Sequence, residues 1–213
     1  MTFARLLEIV GDAPVFETGL LLAGDVDPRD VRRQLCRWVR SGRLEQLRRG
    51  LYAVAPPYRK VTPHPFAVAN RLVRPSYVSL QAALAFYGLI PEYAPLATSV
   101  TTRRPFEAGT SLGAFLFRHV QLDVFWGFRE LELPGDQRAL VATPEKALLD
   151  LVHLSVGGDT RGFLESLRLQ NLDLLDEELL EQAAARWDKP RILRAAETLL
   201  ELIREEREGF VTL

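Results

Sequence analysis

Between Asp27 and Val54 the chain reads DPRDVRRQLCRWVRSGRLEQLRRGLYAV, and this stretch restricts what the chain can fold into more than any other. Asp27 is a natural N-cap and Pro28 suits the first helical turn, where no backbone N–H is required. Asp30 is favourable beside the positive end of the helix. Val31, Leu35, Trp38 and Val39 recur at i, i+4, i+7 and i+8 and so share an apolar face. At about 100° per residue, Arg29, Arg33, Arg37 and Arg40 fall on the opposite face, with Arg32 at its flank. Ser41-Gly42 predicts the stop, because glycine tolerates the left-handed conformation that ends helices. Residues 43–47 and 51–54 then read as two short strands joined through Arg48-Arg49-Gly50, a basic turn.

A helix with a buried face and an arginine face, followed by a hairpin with an arginine tip, suits DNA. The helix fits a major groove and the hairpin can lie along a neighbouring phosphate backbone. Residues 29–60 hold ten basic side chains (Arg29, Arg32, Arg33, Arg37, Arg40, Arg43, Arg48, Arg49, Arg59, Lys60) against Asp30 and Glu45. A merely solvated helix face usually mixes signs, since like charges at i,i+4 repel. Arg29, Arg32, Arg33, Arg37, Arg40, Arg43, Arg48 and Arg49 are therefore the expected DNA-binding residues. Tyr58-Arg59-Lys60 extends the same surface toward phosphate.

Charge is unevenly distributed along the chain. Over the whole sequence it sums to −1, but residues 1–60 carry +4 and residues 61–213 carry −5. A basic head on an acidic body points to a polyanion as partner of the head. Cys36 is the sole cysteine, so no pair exists for a disulfide within the chain or for a thiolate zinc site. A chain with one thiol suits a reducing cytoplasm. No apolar run approaches a membrane span and the first residues lack a signal-peptide layout, so the expected location is cytoplasmic, without a membrane partner.

Upstream of the basic helix, Phe3, Leu6, Leu7 and Val10 form an amphipathic first helix that ends at Gly11-Asp12 and Pro14. Residues 18–23 form a short apolar segment and Gly24-Asp25 a turn. Three helices and a hairpin within the first 55 or so residues give the layout of a winged helix-turn-helix. Pro56-Pro57, with Pro63 and Pro65 beyond, marks a boundary. The expected fold is α+β: an N-terminal winged helix-turn-helix over residues 1–58, followed by a mixed α/β C-terminal domain over residues 63–213 that ends in helices. In that second part, residues 66–73 and 80–87 read as helices, the latter capped by Ser79 and stopped by Gly88. Residues 97–102, 112–120 and 128–133 read as strands. Residues 138–142 follow across Pro134-Gly135-Asp136, a hairpin turn. Thr143-Pro144-Glu145 starts a helix to about Leu154, and another spans residues 160–169. Two more close the chain: Leu179, Leu180, Ala183, Ala184 and Trp187 share a face, as do Ile192, Leu193, Ala196, Leu199, Leu200 and Ile203.

Gly109-Thr110-Ser111-Leu112-Gly113 matches the G-x-S-x-G nucleophile motif, and the order Ser111, Asp150, His153 mimics a hydrolase triad. A nucleophile elbow needs a strand before it and a helix after it in a parallel sheet. Here a strand follows, so the segment reads as a glycine-bearing loop leading into that strand. His64, His119 and His153 have no metal-ligand spacing, and no phosphate-binding glycine loop occurs. Trp38, Trp126 and Trp187 fall on apolar faces and read as core. The sequence calls for no enzyme, no metal and no cofactor.

The order of several short motifs resembles the AbiEi family, the antitoxin and transcriptional-regulator half of bacterial AbiE-type (type IV) toxin–antitoxin systems. They are Ser41-Gly42-Arg43-Leu44 and Arg49-Gly50-Leu51-Tyr52; Tyr77-Val78-Ser79-Leu80-Gln81-Ala82-Ala83-Leu84 with Tyr87-Gly88-Leu89; Phe117-Arg118-His119-Val120; Phe125-Trp126-Gly127; and Thr143-Pro144-Glu145-Lys146-Ala147-Leu148-Leu149-Asp150. The resemblance covers residues 40–150 best, and no motif past about residue 160 carries it. It implies an N-terminal winged helix that binds inverted repeats in its own promoter. It also implies a C-terminal α+β domain that counteracts a nucleotidyltransferase toxin, with or without a stable complex. The alternative is a basic-headed module that binds a protein or RNA without operator specificity. RNA readers usually expose aromatics for stacking, whereas Phe3, Phe16, Trp38 and Tyr52 suit packing.

Overall fold

A computed structural model describes residues 1–23, 26–91 and 96–211, with side chains to residue 206. The turn expected at Gly24-Asp25 lies outside the described residues. Helix α1 (Phe3–Val10) begins where the Thr2 hydroxyl accepts from the Arg5 N–H, and it buries Leu6 and Val10. Strand β1 (Phe16–Glu17) follows, then one 3-10 turn over Thr18–Leu22 in place of a full middle helix. In helix α2 (Pro28–Arg40), Asp27 accepts from the Arg29 N–H as expected of an N-cap, and Val31, Leu35 and Trp38 are buried. Gly42, at φ 69°, turns the chain into β2 (Leu44–Arg48) and β3 (Leu51–Val54).

The hairpin gains β1 as a third strand, in the order β1-β3-β2 and antiparallel throughout. All four residues of β3 are buried, because this strand is central and covered on both faces. Phe16, Leu44, Tyr52 and Val54 join Leu6, Val10, Val31, Leu35 and Trp38 in a small core. Val15, Leu47, Leu51 and Ala53 belong instead to the large core of the rest of the chain. One small sheet therefore serves two cores, and this is what fixes the head against the body.

The body comprises α3 (Pro65–Leu72), β4 (Ser76–Val78), α4 (Leu80–Phe86), β5 (Leu96–Thr101), β6 (Phe106–Thr110), β7 (Gly113–His119), β8 (Phe128–Leu133) and β9 (Gln137–Ala142). Helices α5 (Pro144–Leu154), α6 (Arg161–Ser166), α7 (Glu177–Trp187) and α8 (Pro190–Val211) complete it. The sheet order is β6-β7-β5-β4-β9-β8, with β5–β7 and β4–β9 parallel and the other pairs antiparallel. Helix α3 packs on β4 and β9, α4 on β5 and α5, and α5 on α7 and α8. The architecture is α+β. No described helix is long and apolar enough to cross a membrane.

Several expectations need correction. Ser79 occupies the N-cap position of α4 but donates its hydroxyl to Asp150, at 2.7 Å, because a buried carboxylate needs donors; no side chain caps from there. Thr98 Oγ1 accepts the Ala82 N–H instead. The helix expected over 160–169 is shorter, and Arg168 at φ 51° lies just past its end. Leu179 is 49% exposed and Leu193 37% exposed, so neither belongs to its helix's buried face; Ala195 joins the buried set on α8. Trp126 is only partly buried, unlike Trp38 and Trp187.

Candidate nucleic-acid interface

Helix α2 is held by its apolar face, which leaves its other face to solvent. Arg32, Arg33, Arg37 and Arg40 are all exposed there and, with Cys36, line a shallow surface groove of about 450 Å³. Arg32 thus belongs to the groove rather than to its flank, and exposed Arg29 lies one turn outside its lining. Cys36 was not anticipated at the centre of this face, although its helical position places it between Arg32 and Arg40. Arg33 pairs with Asp30 one turn earlier, and the hydrogen bond and charge of Asp30 raise its pKa. Arg29, Arg32, Arg37 and Arg40 make no ion pair among the described residues. Repulsion between arginines at i,i+4 costs about 0.2–0.5 kcal/mol per pair. Arg37 and Arg40, in the last turn, recover part of this from the helix dipole.

The hairpin residues divide by partner. Arg49 is exposed at the turn and makes no ion pair among the described residues. Arg48 donates to the backbone oxygen of Arg71 at 3.3 Å, tying the hairpin to the C-terminal end of α3. The Arg43 guanidinium lies over the Phe3 ring, 5.2 Å from its centroid. Phe3 also meets Trp38 and Tyr58 edge-on, at 5.5 and 5.1 Å. Gly50 closes the turn at φ 84°, and its carbonyl accepts the Thr18 N–H at 2.9 Å. That bond seats the hairpin tip on the 3-10 turn.

Glu45, the acid of the hairpin, is occupied. Its Oε2 accepts from Arg59 Nη2 and from Ser111 Oγ, both at 2.8 Å. Arg59 also donates from Nε to the Val54 carbonyl and is mostly buried, so it is not a phosphate contact of the kind expected. Lys60 pairs with Asp12 at 3.1 Å. The Glu45 carboxylate that would oppose a polyanion is thus neutralised by Arg59 and held by the Ser111 hydroxyl of the body. The structure brings Arg32, Arg33, Arg37 and Arg40 together and commits Arg43, Arg48 and Arg59 elsewhere.

The serine motif is not a loop before a single strand. Phe106–Thr110 forms β6, pairs antiparallel with β7, and leaves Ser111-Leu112 at the tip of the hairpin. Ser111 bonds to Glu45, whereas Asp150 is fully buried and accepts from Tyr77 (3.0 Å), Ser79 and Lys146. Ser111 and Asp150 therefore have separate partners. The His153 ring packs on Trp187, with centroids 5.3 Å apart. Burial, then Lys189, Lys146 and Arg191, push its pKa down to about 4, against a weaker pull from Asp123. Among the described residues, no group of three His, Cys, Asp or Glu is placed to hold a metal.

A second cluster went unrecognised as a unit. Lys146, 1% exposed, pairs with Asp150 one helical turn on and lies 4.2 Å from the Trp187 centroid, 5.1 Å from Trp126 and 5.6 Å from Tyr77. A Cβ at Gly127 would meet Lys146 Cγ at 2.8 Å, so only glycine fits beside the lysine stem. Burial lowers the Lys146 pKa and raises that of Asp150, and each charge opposes the shift of the other. The i,i+4 spacing of Lys146 and Asp150 was the available signal. No family model matches the chain, and no curated protein matches it.

Proposed function

We propose that the chain is a DNA-binding transcriptional regulator whose first 58 residues form a winged helix, with α2 entering the major groove and β2–β3 as the wing. The observation that carries this is the exposed set Arg32, Arg33, Arg37 and Arg40 on one face of α2, with Asp30 as its only ion-pair partner among the described residues. The order α1, β1, 3-10 turn, α2 and hairpin supports it, since this succession holds one helix out from a three-stranded sheet. Arg29, Arg33 and Arg37 read base edges, while Arg40, Arg49 and Arg48 hold phosphate, Arg48 after leaving Arg71. The commitment of Phe16, Trp38 and Tyr52 to the small core favours duplex DNA over RNA, which would need exposed stacking rings.

The resemblance to the AbiEi family extends the proposal. The protein is then a cytoplasmic autorepressor that binds inverted repeats in its promoter, and residues 63–213 form the antitoxin domain that counteracts a nucleotidyltransferase toxin. The reading assigns no catalytic residue and no cofactor. Footprinting the full chain on the DNA upstream of its gene tests the first part. Protection of two related half-sites is expected, and equal affinity for scrambled DNA would overturn it. Co-expression with a nucleotidyltransferase encoded beside it tests the second. Rescue of growth is expected from the full chain, and growth arrest despite its expression would overturn the antitoxin reading.

A further inference from the structure

Away from the arginine face of α2, a cleft of about 830 Å³ opens at the seam between head and body. That volume lies within the range of small-molecule sites, about 300–1,000 Å³. Its basic lining is Arg71, Arg74, Arg103 and Arg138. Arg138 is tied to Glu130 at 3.1 Å and Arg74 more loosely to Glu17 at 3.5 Å. Arg71 and Arg103 are exposed and have no carboxylate partner among the described residues. Arg103 Nε donates to the Arg74 carbonyl at 3.4 Å.

The apolar lining includes Phe125 and Phe128, both partly exposed, and Pro14 from the head. The two rings lie 5.2 Å apart and are braced from behind by buried Tyr77, whose ring is 5.0 and 4.6 Å from them. Tyr77 is fixed in turn by its hydrogen bond to Asp150. Two braced rings beside two guanidiniums that have no carboxylate partner among the described residues suit a ligand that combines a flat ring with an oxyanion. Arginine forks match phosphate with two parallel hydrogen bonds, and phenylalanine faces accept a stacked base whatever its identity.

We propose that this seam cleft binds a small aromatic phosphate of the nucleoside monophosphate class, with Arg71 and Arg103 on the phosphate and Phe125 and Phe128 against the ring. The site touches both head and body and stands independently of the DNA reading. The test is calorimetric titration of the full chain with AMP, adenosine and inorganic phosphate. One AMP per chain is expected, bound at least about tenfold more tightly than either half alone. Arg71→Ala and Arg103→Gln, both at exposed positions, should each weaken AMP at least about tenfold without shifting the thermal midpoint. Phe128→Leu should remove the advantage of AMP over inorganic phosphate. Several results would overturn the proposal: no saturation by millimolar AMP, equal binding of AMP and inorganic phosphate, or loss of AMP binding in Arg37→Ala but not in Arg103→Gln. Displacement of AMP by duplex DNA that depends on Arg103 would instead assign the cleft to a nucleic-acid backbone.

Discussion

The head and the body treat their cations in opposite ways. On α2, Arg32, Arg37 and Arg40 are exposed and have no carboxylate partner among the described residues. In the body, Lys146 is enclosed by three aromatic rings and paired with a carboxylate that two hydroxyls also serve. Exposed arginines cost the fold little and contribute little to it, so they are free for a partner. A buried pair has already lost its water and cannot release either member without leaving an uncompensated charge. Position in the fold, more than residue type, separates charges left in solvent from charges committed to the structure.

The largest effect should come from breaking the buried pair. Lys146→Met leaves Asp150 facing only Tyr77 and Ser79 and should cost about 3–5 kcal/mol, read from the urea midpoint. Adding Asp150→Asn, which keeps an acceptor for both hydroxyls, should restore more than half of the loss. A single-variant cost below about 1 kcal/mol would mean that the pair does not lock α5 to β4.

Helix α2 should behave in the reverse manner. Arg37→Ala should leave the urea midpoint within about 0.5 kcal/mol of wild type while weakening operator binding by about 1–3 kcal/mol and relaxing preference at one base. Arg33→Ala should lose less, because Arg33 must give up Asp30 to reach DNA. Asp30→Asn should accordingly tighten binding. If Arg37→Ala destabilises the fold instead, the contrast between head and body fails.

His153 sharpens the comparison through pH. Its pKa of about 4 in the folded chain lies below its ordinary value of 6.5, so between these values the unfolded chain holds the extra proton. Stability is then full above about pH 6.5 and falls as pH drops toward 4, by about 2 kcal/mol once partial exposure is allowed for. His153→Gln should remove that acid limb. Between about pH 7 and pH 4 the wild-type urea midpoint should fall relative to that of His153→Gln, and parallel curves would refute the assignment.

Helices with their own caps were legible from residues alone. Asp27 and Thr143 each accept the N–H that their position predicts, and the apolar spacing of α2 gave its buried face. Strands β1 and β4 were not, since two and three residues carry no measurable alternation and earn their place only by pairing with distant partners. The resemblance supplied the Lys146–Asp150 segment as a motif, but its role depends on Tyr77, Ser79 and Trp187, which only the tertiary fold brings near. Of the arginine face, 3.6-residue periodicity gave Arg33, Arg37 and Arg40 but put Arg32 at its flank and Arg29 within it. The hairpin half was not readable, because Arg43, Arg48 and Glu45 are decided by Phe3, Arg71, Arg59 and Ser111, all remote in sequence except Arg59.

The smallest effect separates two adjacent arginines at the hairpin tip. Each phosphate neutralised contributes about −0.9 to the slope of log affinity against log salt. Arg49 is exposed and has no ion pair among the described residues, so Arg49→Ala should flatten the slope by about one unit and weaken operator and scrambled DNA alike. Arg48 already donates to the Arg71 carbonyl, and part of any gain on DNA is offset by losing that bond. Arg48→Ala should therefore change the slope less than Arg49→Ala, and its effect should fall further if Arg48 stays on α3 in the complex. The measurement is a set of titrations of wild type and both variants on operator and scrambled DNA at several salt concentrations. Equal slopes for the two variants would show that the bond to Arg71 does not hold Arg48 back. No change in either would remove the hairpin from the DNA interface and leave the helix to bind alone.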